Sequence, residues 1–341
     1  MKRSRGRQVA GTGEDRRATS LAPLVSVGVP VYQGEQFLDE TLYALRKQDY
    51  PNLEIVISDN ASTDRTSEII ARHEADDERV RSIHQDTNIG AAENYNEVFR
   101  ASSGVFFAWN AHDDLTTSDF FRSASEALDS DPSAVVAIAR PFRVDIDGEK
   151  LEEFDISEDL YSAEPHVRFR AAARSAPASL IFGVYRRQQL ESTGLHGHFA
   201  GSDRNLVAEA MLYGRVTHAG NSEFHLREHQ YRSVRSHGRS GNNRLSHDRN
   251  AWYDPTTENR LAFPNWRRFG SYIGAVTAAP LGIAESLRCY LTVGHLLVDD
   301  RMKLGKQLVY DLVAAASYLT GKYLKPLRLT TDSDVGDRAV G

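Results

Sequence analysis

Residues 24–66 read LVSVGVPVYQGEQFLDETLYALRKQDYPNLEIVISDNASTDRT, and this stretch decides the fold. The apolar, β-rich run at its start is typical of a strand buried on both faces of a parallel sheet. A helix is predicted from about Gln36 to Gln48, where apolar side chains recur at helical spacing. A second strand is predicted at residues 53–58, and Ser62 or Thr63 is expected to cap the helix that follows it. The stretch therefore predicts a strand–helix–strand–helix unit.

The same alternation continues to about residue 140. Strands are predicted at residues 80–84, 105–109 and 134–139, and helices at 91–101 and 120–128. Strands and helices that alternate at this spacing imply right-handed crossovers and an open sheet with helices on both faces. The predicted fold class is therefore α/β.

After about Phe142 the pattern becomes less regular. A helix is predicted at residues 202–214, with Ser202 or Asp203 as its cap. Residues 221–250 are rich in Arg, His, Ser and Gly, which indicates a mobile basic loop. Residues 272–324 have a helical, amphipathic pattern. Within them, LGIAESLRCYLTVGHLL (281–297) is apolar enough to dock on the domain, to pair with a second subunit or to rest on a membrane surface. Docking is the simplest of these interpretations.

The predicted organisation has four segments. They are a disordered basic leader (1–22), a main domain (23–235) with a donor half (23–140) and an acceptor half (141–235), a basic loop with a C-terminal helical region (236–325), and a disordered tail (326–341).

Composition favours a soluble protein of the cytoplasm. Hydrophobic residues make up 40% of the chain, charged residues 26%, and the formal net charge is -6. A nucleic-acid-binding protein would normally carry a basic excess, so no nucleic-acid partner is expected. The single cysteine, Cys289, excludes an internal disulfide and a thiolate zinc cluster. The basic leader lacks the apolar core of a secretory signal; weak contact with the inner face of the membrane is the alternative to a free tail.

Polar clusters follow each of the first four predicted strands. They are Tyr32 to Glu35, Asp59 to Asp64, Asn88, and Asp113 with Asp114. Ligands of open α/β sheets bind beyond the carboxyl ends of the strands. The clusters therefore predict a ligand site at one edge of the sheet.

Asp113 and Asp114 are the first candidates for chemistry. Adjacent acids repel each other unless a cation or hydrogen-bond donors compensate their charges. Mg²⁺ or Mn²⁺ prefers oxygen ligands and normally shares them with substrate phosphates. The pair predicts a nucleoside diphosphate at this edge; the alternative is that the two acids cap the next helix.

Each of the other clusters has a functional and a local interpretation. Asp59 either accepts the imide N–H of uracil or a ribose hydroxyl, or forms an Asx-turn. Pro30 and Tyr32 either hold a base or pack locally. Glu35 either binds the nucleotide or begins a helix. Asn88 either lets the backbone approach a ligand or belongs to a tight turn.

The stretch quoted above, followed by NIGAAENYN and then AWNAHDDL, resembles the inverting glycosyltransferases of family 2. The resemblance is specific over about residues 24–140 and looser through GSDRNLVAEAMLYGRV and FHLREHQYRS. It implies a GT-A fold, which is a Rossmann-like nucleotide-sugar-binding sheet, here with a helical C-terminal extension. It also implies a glycosyltransferase of the hexosyltransferase type in polysaccharide, cell-wall or glycoconjugate synthesis.

The resemblance carries roles to individual positions. Asp203 matches the catalytic base. The resemblance implies that the metal ion is Mn²⁺ or Mg²⁺ and that its ligands are Asp113, Asp114 and His229. Nucleotide-sugar contacts are implied for Pro30, Tyr32, Glu35, Asp59, Asn88, Asn94, Asp113 and Asp114. The implied donor is a UDP-, GDP- or dTDP-sugar, and the acceptor is a glycan, a lipid or a small molecule. One departure is that Ala111 and His112 stand before Asp113, so the first acid of the family's Asp-X-Asp motif is replaced.

Two further interpretations concern the basic loop and the competing functions. Arg227 and Arg232 either stabilise the leaving diphosphate or belong to an exposed loop, which would act as a lid over the donor.

A nucleotidyltransferase would need a basic Gly-rich loop after the first strand, and VYQGEQF has no Lys or Arg. No G-x-G-x-x-G follows that strand, which disfavours a dehydrogenase. A non-catalytic nucleotide-sugar or carbohydrate-binding relative remains the alternative, and Ala111 supports it.

Overall fold

The computed structural model describes residues 22–175, 178–229, 252–257 and 263–302, together with 304–306, 308–309 and 312. The predicted leader, apart from Ala22, the predicted loop beyond residue 229 up to residue 250, and the predicted tail lie outside the described residues.

The described residues form one mixed sheet of nine strands in the order β3-β2-β1-β4-β8-β6-β9-β5, with β7 paired to β6. The strands are β1 (Val25–Val31), β2 (Leu53–Asp59), β3 (Val80–His84), β4 (Phe106–Trp109), β5 (Leu115–Thr116), β6 (Ala134–Val144), β7 (Lys150–Glu153), β8 (Val184–Arg186) and β9 (Arg215–Arg227). The first four are parallel to one another. Strand β8 is antiparallel to both of its neighbours, and β6 and β9 are parallel.

The helices connect and cover this sheet. They are α1 (Leu38–Arg46), α2 (Thr66–Asp76), α3 (Ala91–Arg100), α4 (Phe120–Ser130), α5 (Pro165–Ser175), α6 (Arg187–Glu191), α7 (Ser202–Tyr213), α8 (Pro264–Ala278) and α9 (Ile283–Asp299). Short 3-10 turns occupy Glu158–Tyr161, Ala178–Phe182 and Pro255–Thr257.

The predicted strand–helix alternation up to residue 140 is confirmed. Every residue of β1 is buried, as expected for a strand covered on both faces. The largest side chains of the core, among them Trp109, Phe107 and Tyr185, are fully buried where β4 meets β8. The α/β fold class is therefore correct, and its parallel part is the part that the sequence pattern indicated.

Three local predictions were wrong. Residues 221–227 form the end of β9 and not a loop, because this segment pairs with β6 and β5 and buries Phe224 and Leu226. Ser62 and Thr63 do not cap α2; their hydroxyls accept hydrogen bonds from Gln33 instead.

The capping prediction for α7 also fails. The residue at the cap position is Gly201, in the left-handed conformation with φ 85°, and no side chain caps the helix. Ser202 and Asp203 are the first two residues of the helix. Asp203 is therefore not engaged as a cap.

The C-terminal helices α8 and α9 pack on each other and on α7 and α5, respectively. Helix α8 begins at Pro264, earlier than predicted, because proline is well suited to the first turn of a helix. Helix α9 buries Cys289, Val293 and Leu296 and leaves other apolar side chains exposed on its outer side. Among the described helices, none has the length and apolar character to cross a membrane.

Candidate active site

The carboxyl ends of β1, β2 and β4 open into a cleft of about 1160 Å³. Eight of the residues that the sequence proposed as ligand-binding or metal-binding line this one cleft. They are Pro30, Tyr32, Glu35, Asn88, Asn94, Asp113, Asp114 and His229. Asp59 and Asp203 are not among the lining residues.

The loops after β1 and β2 hold each other in place at the rim of the cleft. Gln33 and Ala61 both have positive φ angles, 55° and 60°, which is unfavourable for residues other than glycine. The Gln33 side-chain oxygen accepts the backbone N–H groups of Thr63 and Asp64, at 3.1 and 3.2 Å. The Glu35 carboxylate accepts the backbone N–H of Arg65 at 3.2 Å. These bonds offset the strained backbone and make the rim one rigid unit.

Asparagine side chains form the adjoining wall of the cleft. The Asn60 amide donates to Asn88 Oδ1 at 3.0 Å, and its oxygen accepts the Ile89 N–H at 2.8 Å. The Asn94 amide donates to the Ser58 carbonyl at 3.1 Å. Asn94 Oδ1 is buried and has no hydrogen-bond partner among the described residues. Asn60 was missed in the sequence because an Asn in a turn needs no ligand to explain it.

Asp59 lies below the cleft and serves its own loop. It is only 2% exposed. Its Oδ1 accepts the Ser62 N–H at 3.0 Å, and its Oδ2 accepts the Ser67 hydroxyl at 2.8 Å. These bonds are local, and through them Asp59 positions the loop that presents Asn60; its contact with the nucleotide stays a prediction.

Asp113 lies in the turn after β4 and contacts His229, which follows the end of β9. Its Oδ2 lies 2.8 Å from His229 Nε2. The His229 ring also packs against Phe37, with ring centroids 4.6 Å apart. The turn itself is fixed by the Thr41 hydroxyl, which donates to the His112 carbonyl at 3.0 Å. The acid and the imidazole are therefore held by contacts from both sides of the cleft.

Asp114 has a different role from its neighbour. Its Oδ1 accepts the backbone N–H of Arg227 at 2.9 Å, which anchors the end of β9 to the turn. The Arg227 guanidinium donates to Glu40 at 2.7 Å and lies 4.9 Å from the Phe37 ring centroid. Arg227 is only 3% exposed and ends β9, so it does not belong to an exposed loop; it is not among the residues that line the cleft, and its role at the leaving diphosphate stays a prediction. Arg232 lies outside the described residues.

The donor set fits a divalent ion that arrives with phosphate oxygens. No group of three His, Cys, Asp or Glu side chains that could hold a metal ion occurs in the part of the chain that the structure describes. Asp113 and His229 supply one carboxylate and one imidazole at the same point of the cleft. Mg²⁺ is commonly held by one or two carboxylates and the phosphates of a substrate, so a small protein donor set suits such an ion.

Tyr95, on α3, is another side chain of the cleft. Burial raises the pKa of the Tyr95 hydroxyl, and the negative charges of Asp113, Asp114 and Asp203 raise it further. Asp203 is half-buried and makes no hydrogen bond or ion pair with the described residues. The candidate base therefore lies within electrostatic reach of a side chain in the cleft. Tyr95 was missed in the sequence because it looks like one more residue of an amphipathic helix.

Residues 252–257, here called the strap, cross the start of α3. Trp252 and Pro255 line the cleft. Gly90, with φ 86°, allows this approach, because a Cβ at that position would lie 2.6 Å from the Tyr253 carbonyl oxygen and 2.5 Å from Pro255 Cδ. The strap was missed because its short sequence has no helix or strand periodicity.

A family model, several curated proteins and several solved structures are similar to this chain. The sequence model of the family described as "Glycosyl transferase family 2" matches residues 26–208, which is more than half of the chain. The match includes β1 to β4, the turn that holds Asp113, and the start of α7.

Two relatives are similar over the first part of the chain. TuaG of Bacillus subtilis, which bears the name of a teichuronic acid biosynthesis glycosyltransferase, is 33% identical over 101 residues, 30% of this chain and 40% of TuaG. Glycosyltransferase GlyG of Streptococcus pneumoniae is 30% identical over 116 residues, 34% of this chain and 38% of GlyG. The similar stretch thus spans well under half of either relative.

One solved structure of similar fold is that of S. aureus TarS 1-349. The TM-score is 0.51 with 16% sequence identity, covering 89% of this chain and 93% of the TarS chain. At this identity the likeness concerns the fold, and it extends over nearly the whole of both chains.

Proposed function

Because the chain belongs to glycosyl transferase family 2, we propose that it is an enzyme that moves a sugar from a nucleoside diphosphate to an acceptor hydroxyl. The reaction inverts the anomeric carbon and uses Mn²⁺ or Mg²⁺. The observation that carries the proposal is the contact between Asp113 and His229 inside a cleft at the carboxyl ends of β1, β2 and β4.

The rim of the cleft suits the nucleoside end of the donor. Tyr32 is 43% exposed and offers a ring face beside Pro30, while Asn88 and Asn94 offer polar walls. Cofactor and ligand sites commonly combine apolar faces with a few fixed polar groups in this way. The diphosphate would then reach Asp113 and His229. A divalent ion held there would neutralise charge that builds on the leaving diphosphate.

Asp203 is the proposed base. It accepts the proton of the acceptor hydroxyl while the acceptor oxygen bonds to the anomeric carbon. The bond from that carbon to the diphosphate oxygen breaks on the opposite side, and the diphosphate departs with the bonding electrons. The half-buried position of Asp203 at the first turn of α7, near Tyr95, supports this role.

The donor and acceptor classes come from the relatives. A TarS structure of the same fold contains UDP-GlcNAc, which makes UDP-GlcNAc the first donor to test beside GDP- and dTDP-sugars. The name of TuaG points to a cell-wall polysaccharide as the class of acceptor. An enzyme in the cytoplasm that acts at the inner face of the membrane would suit an acceptor of that class.

A thermal-shift screen tests the proposal. Nucleoside diphosphates and their sugars are added with and without Mn²⁺, because a ligand that binds only the folded state raises the melting temperature. We expect one nucleotide family to stabilise the wild type in the presence of Mn²⁺ and to lose this effect in Asp113→Ala. Asp129→Asn, which removes an exposed carboxylate on α4, is the control. Absence of stabilisation by every nucleotide tested would overturn the proposal.

A further inference from the structure

The Tyr95 hydroxyl is a polar group of the cleft without an assigned task. Tyr95 lines the cleft on α3, one turn after the start of the helix. Its hydroxyl makes no hydrogen bond with any described residue, whereas the buried phenol of Tyr185 donates to the Leu180 carbonyl at 2.7 Å. Tyr95 is half-buried and lines the cleft, so a ligand in the cleft would supply a partner for its hydroxyl.

The ring of Tyr95 is held in position by a buried aromatic cluster. It packs against His196 with centroids 4.8 Å apart, and the Trp109 indole N–H donates to the Tyr95 carbonyl at 2.9 Å. The Asn96 side chain holds the backbone of His196 through two hydrogen bonds, each of 2.9 Å. A hydroxyl fixed in this way can select one orientation of a ligand.

The Tyr95 side chain lines the same cleft as Asp113, and the charge of Asp203 also acts on its hydroxyl. Its pKa is raised by burial and by the charges of Asp113, Asp114 and Asp203, so it stays protonated and both donates and accepts hydrogen bonds. In a displacement with inversion, the leaving diphosphate and the base lie on opposite sides of the anomeric carbon. A group near the proposed diphosphate site and near the proposed base therefore lies beside the sugar between them.

We propose that Tyr95 forms a subsite for the transferred pyranose and hydrogen-bonds one of its ring hydroxyls. This inference rests on the proposed function and adds the residue that recognises the sugar. A site built to bond a hydroxyl rejects an analogue that lacks it, because the protein group is left unpaired. Tyr95 thereby contributes to the choice of sugar.

Tyr95→Phe tests the subsite, with Tyr43→Phe as the control, because Tyr43 is 58% exposed on α1. Calorimetric titration measures the affinity for UDP-GlcNAc, GDP-mannose and dTDP-glucose and for the matching diphosphates, all with Mn²⁺. For the nucleotide that the wild type binds, Tyr95→Phe is expected to weaken the sugar nucleotide about tenfold and to leave the diphosphate unchanged. Donors that lack one sugar hydroxyl extend the test. One of these deoxy donors should bind the wild type less tightly than the full donor does, whereas Tyr95→Phe should bind that deoxy donor and the full donor equally well.

The outcomes separate the two proposals. A wild type that binds no sugar nucleotide contradicts the proposed function itself. A wild type that binds the sugar nucleotide, with Tyr95→Phe equal to it in affinity and in transfer rate, overturns the subsite alone. Equal weakening of sugar nucleotide and diphosphate also overturns it, because the hydroxyl would then act on the diphosphate or on the fold.

Discussion

Asp113 Oδ2 and His229 Nε2 lie 2.8 Å apart, although 116 positions of the chain separate the two residues. The contact depends on β9, whose end is anchored by the bond from the Arg227 N–H to Asp114. It also depends on the pairing of β9 with the short strand β5 directly after the acid pair. The metal-binding role proposed for Asp113 and His229 thus rests on strand pairing as well as on the motif.

His229→Gln should lower the Mn²⁺-dependent affinity for the donor about tenfold or more, because it removes one of two proposed protein ligands. Binding of the nucleotide without Mn²⁺ should stay unchanged. Calorimetric titration with and without Mn²⁺ measures both, and His295→Gln, an exposed position on α9, is the control. Equal Mn²⁺ dependence in His229→Gln and wild type would remove His229 from the metal site.

Asp203→Asn should slow glycosyl transfer by about 10²- to 10⁴-fold, the usual contribution of a general base. Affinity for the donor should change little, because the proposed task of Asp203 is to accept a proton from the acceptor. Product formation under saturating donor gives the rate, and titration gives the affinity. Glu149→Gln, on an exposed turn, is the control. A variant that transfers sugar as fast as wild type would show that another residue is the base.

Gly90→Ala should weaken donor binding and reduce stability by about 1–3 kcal/mol, because an alanine at φ 86° is strained and its Cβ would collide with the strap. Gly148→Ala is a matched control, since Gly148 has φ 88° and no heavy atom within 4 Å of an added Cβ. The comparison separates backbone strain from contact with the strap. Equal changes in donor affinity for the two variants would show that the strap does not shape the cleft.

The free energy of unfolding should decrease at acidic pH because the His196 imidazole is buried. Burial lowers the pKa of the His196 imidazole to about 3, below the ordinary value of 6.5. Between these values the unfolded chain binds a proton that the folded chain does not bind, so the free energy of unfolding decreases as the pH falls through this range. The loss is at most about 1.4 kcal/mol per pH unit.

His196→Phe keeps an aromatic ring beside Tyr95 and removes the titration. Urea denaturation at about pH 7 and about pH 5 should therefore show a pH-dependent loss smaller by about 2 kcal/mol in His196→Phe than in the wild type. His295→Gln should retain the pH dependence of the wild type, because His295 is exposed. Parallel pH profiles for His196→Phe and wild type would contradict the prediction.

The sequence by itself determined the parallel part of the sheet and the residues at its edge. Apolar runs and helical spacing are local properties, so they located β1 to β4 and put Tyr32, Asn88 and Asp113 after strand ends. Parallel strands end at the same edge, which is why these side chains meet in one cleft.

Tertiary structure decided the remainder through contacts between distant segments. Strand β8 enters between β4 and β6 although it follows both in the chain, and β9 brings His229 to Asp113. The direction of a carboxylate is likewise set by its partners: Asp59 bonds Ser62 and Ser67 and is not among the residues that line the cleft. The local sequence pattern predicts which secondary structure a segment is able to form, whereas strand pairing across the sheet determines which side chains share a site.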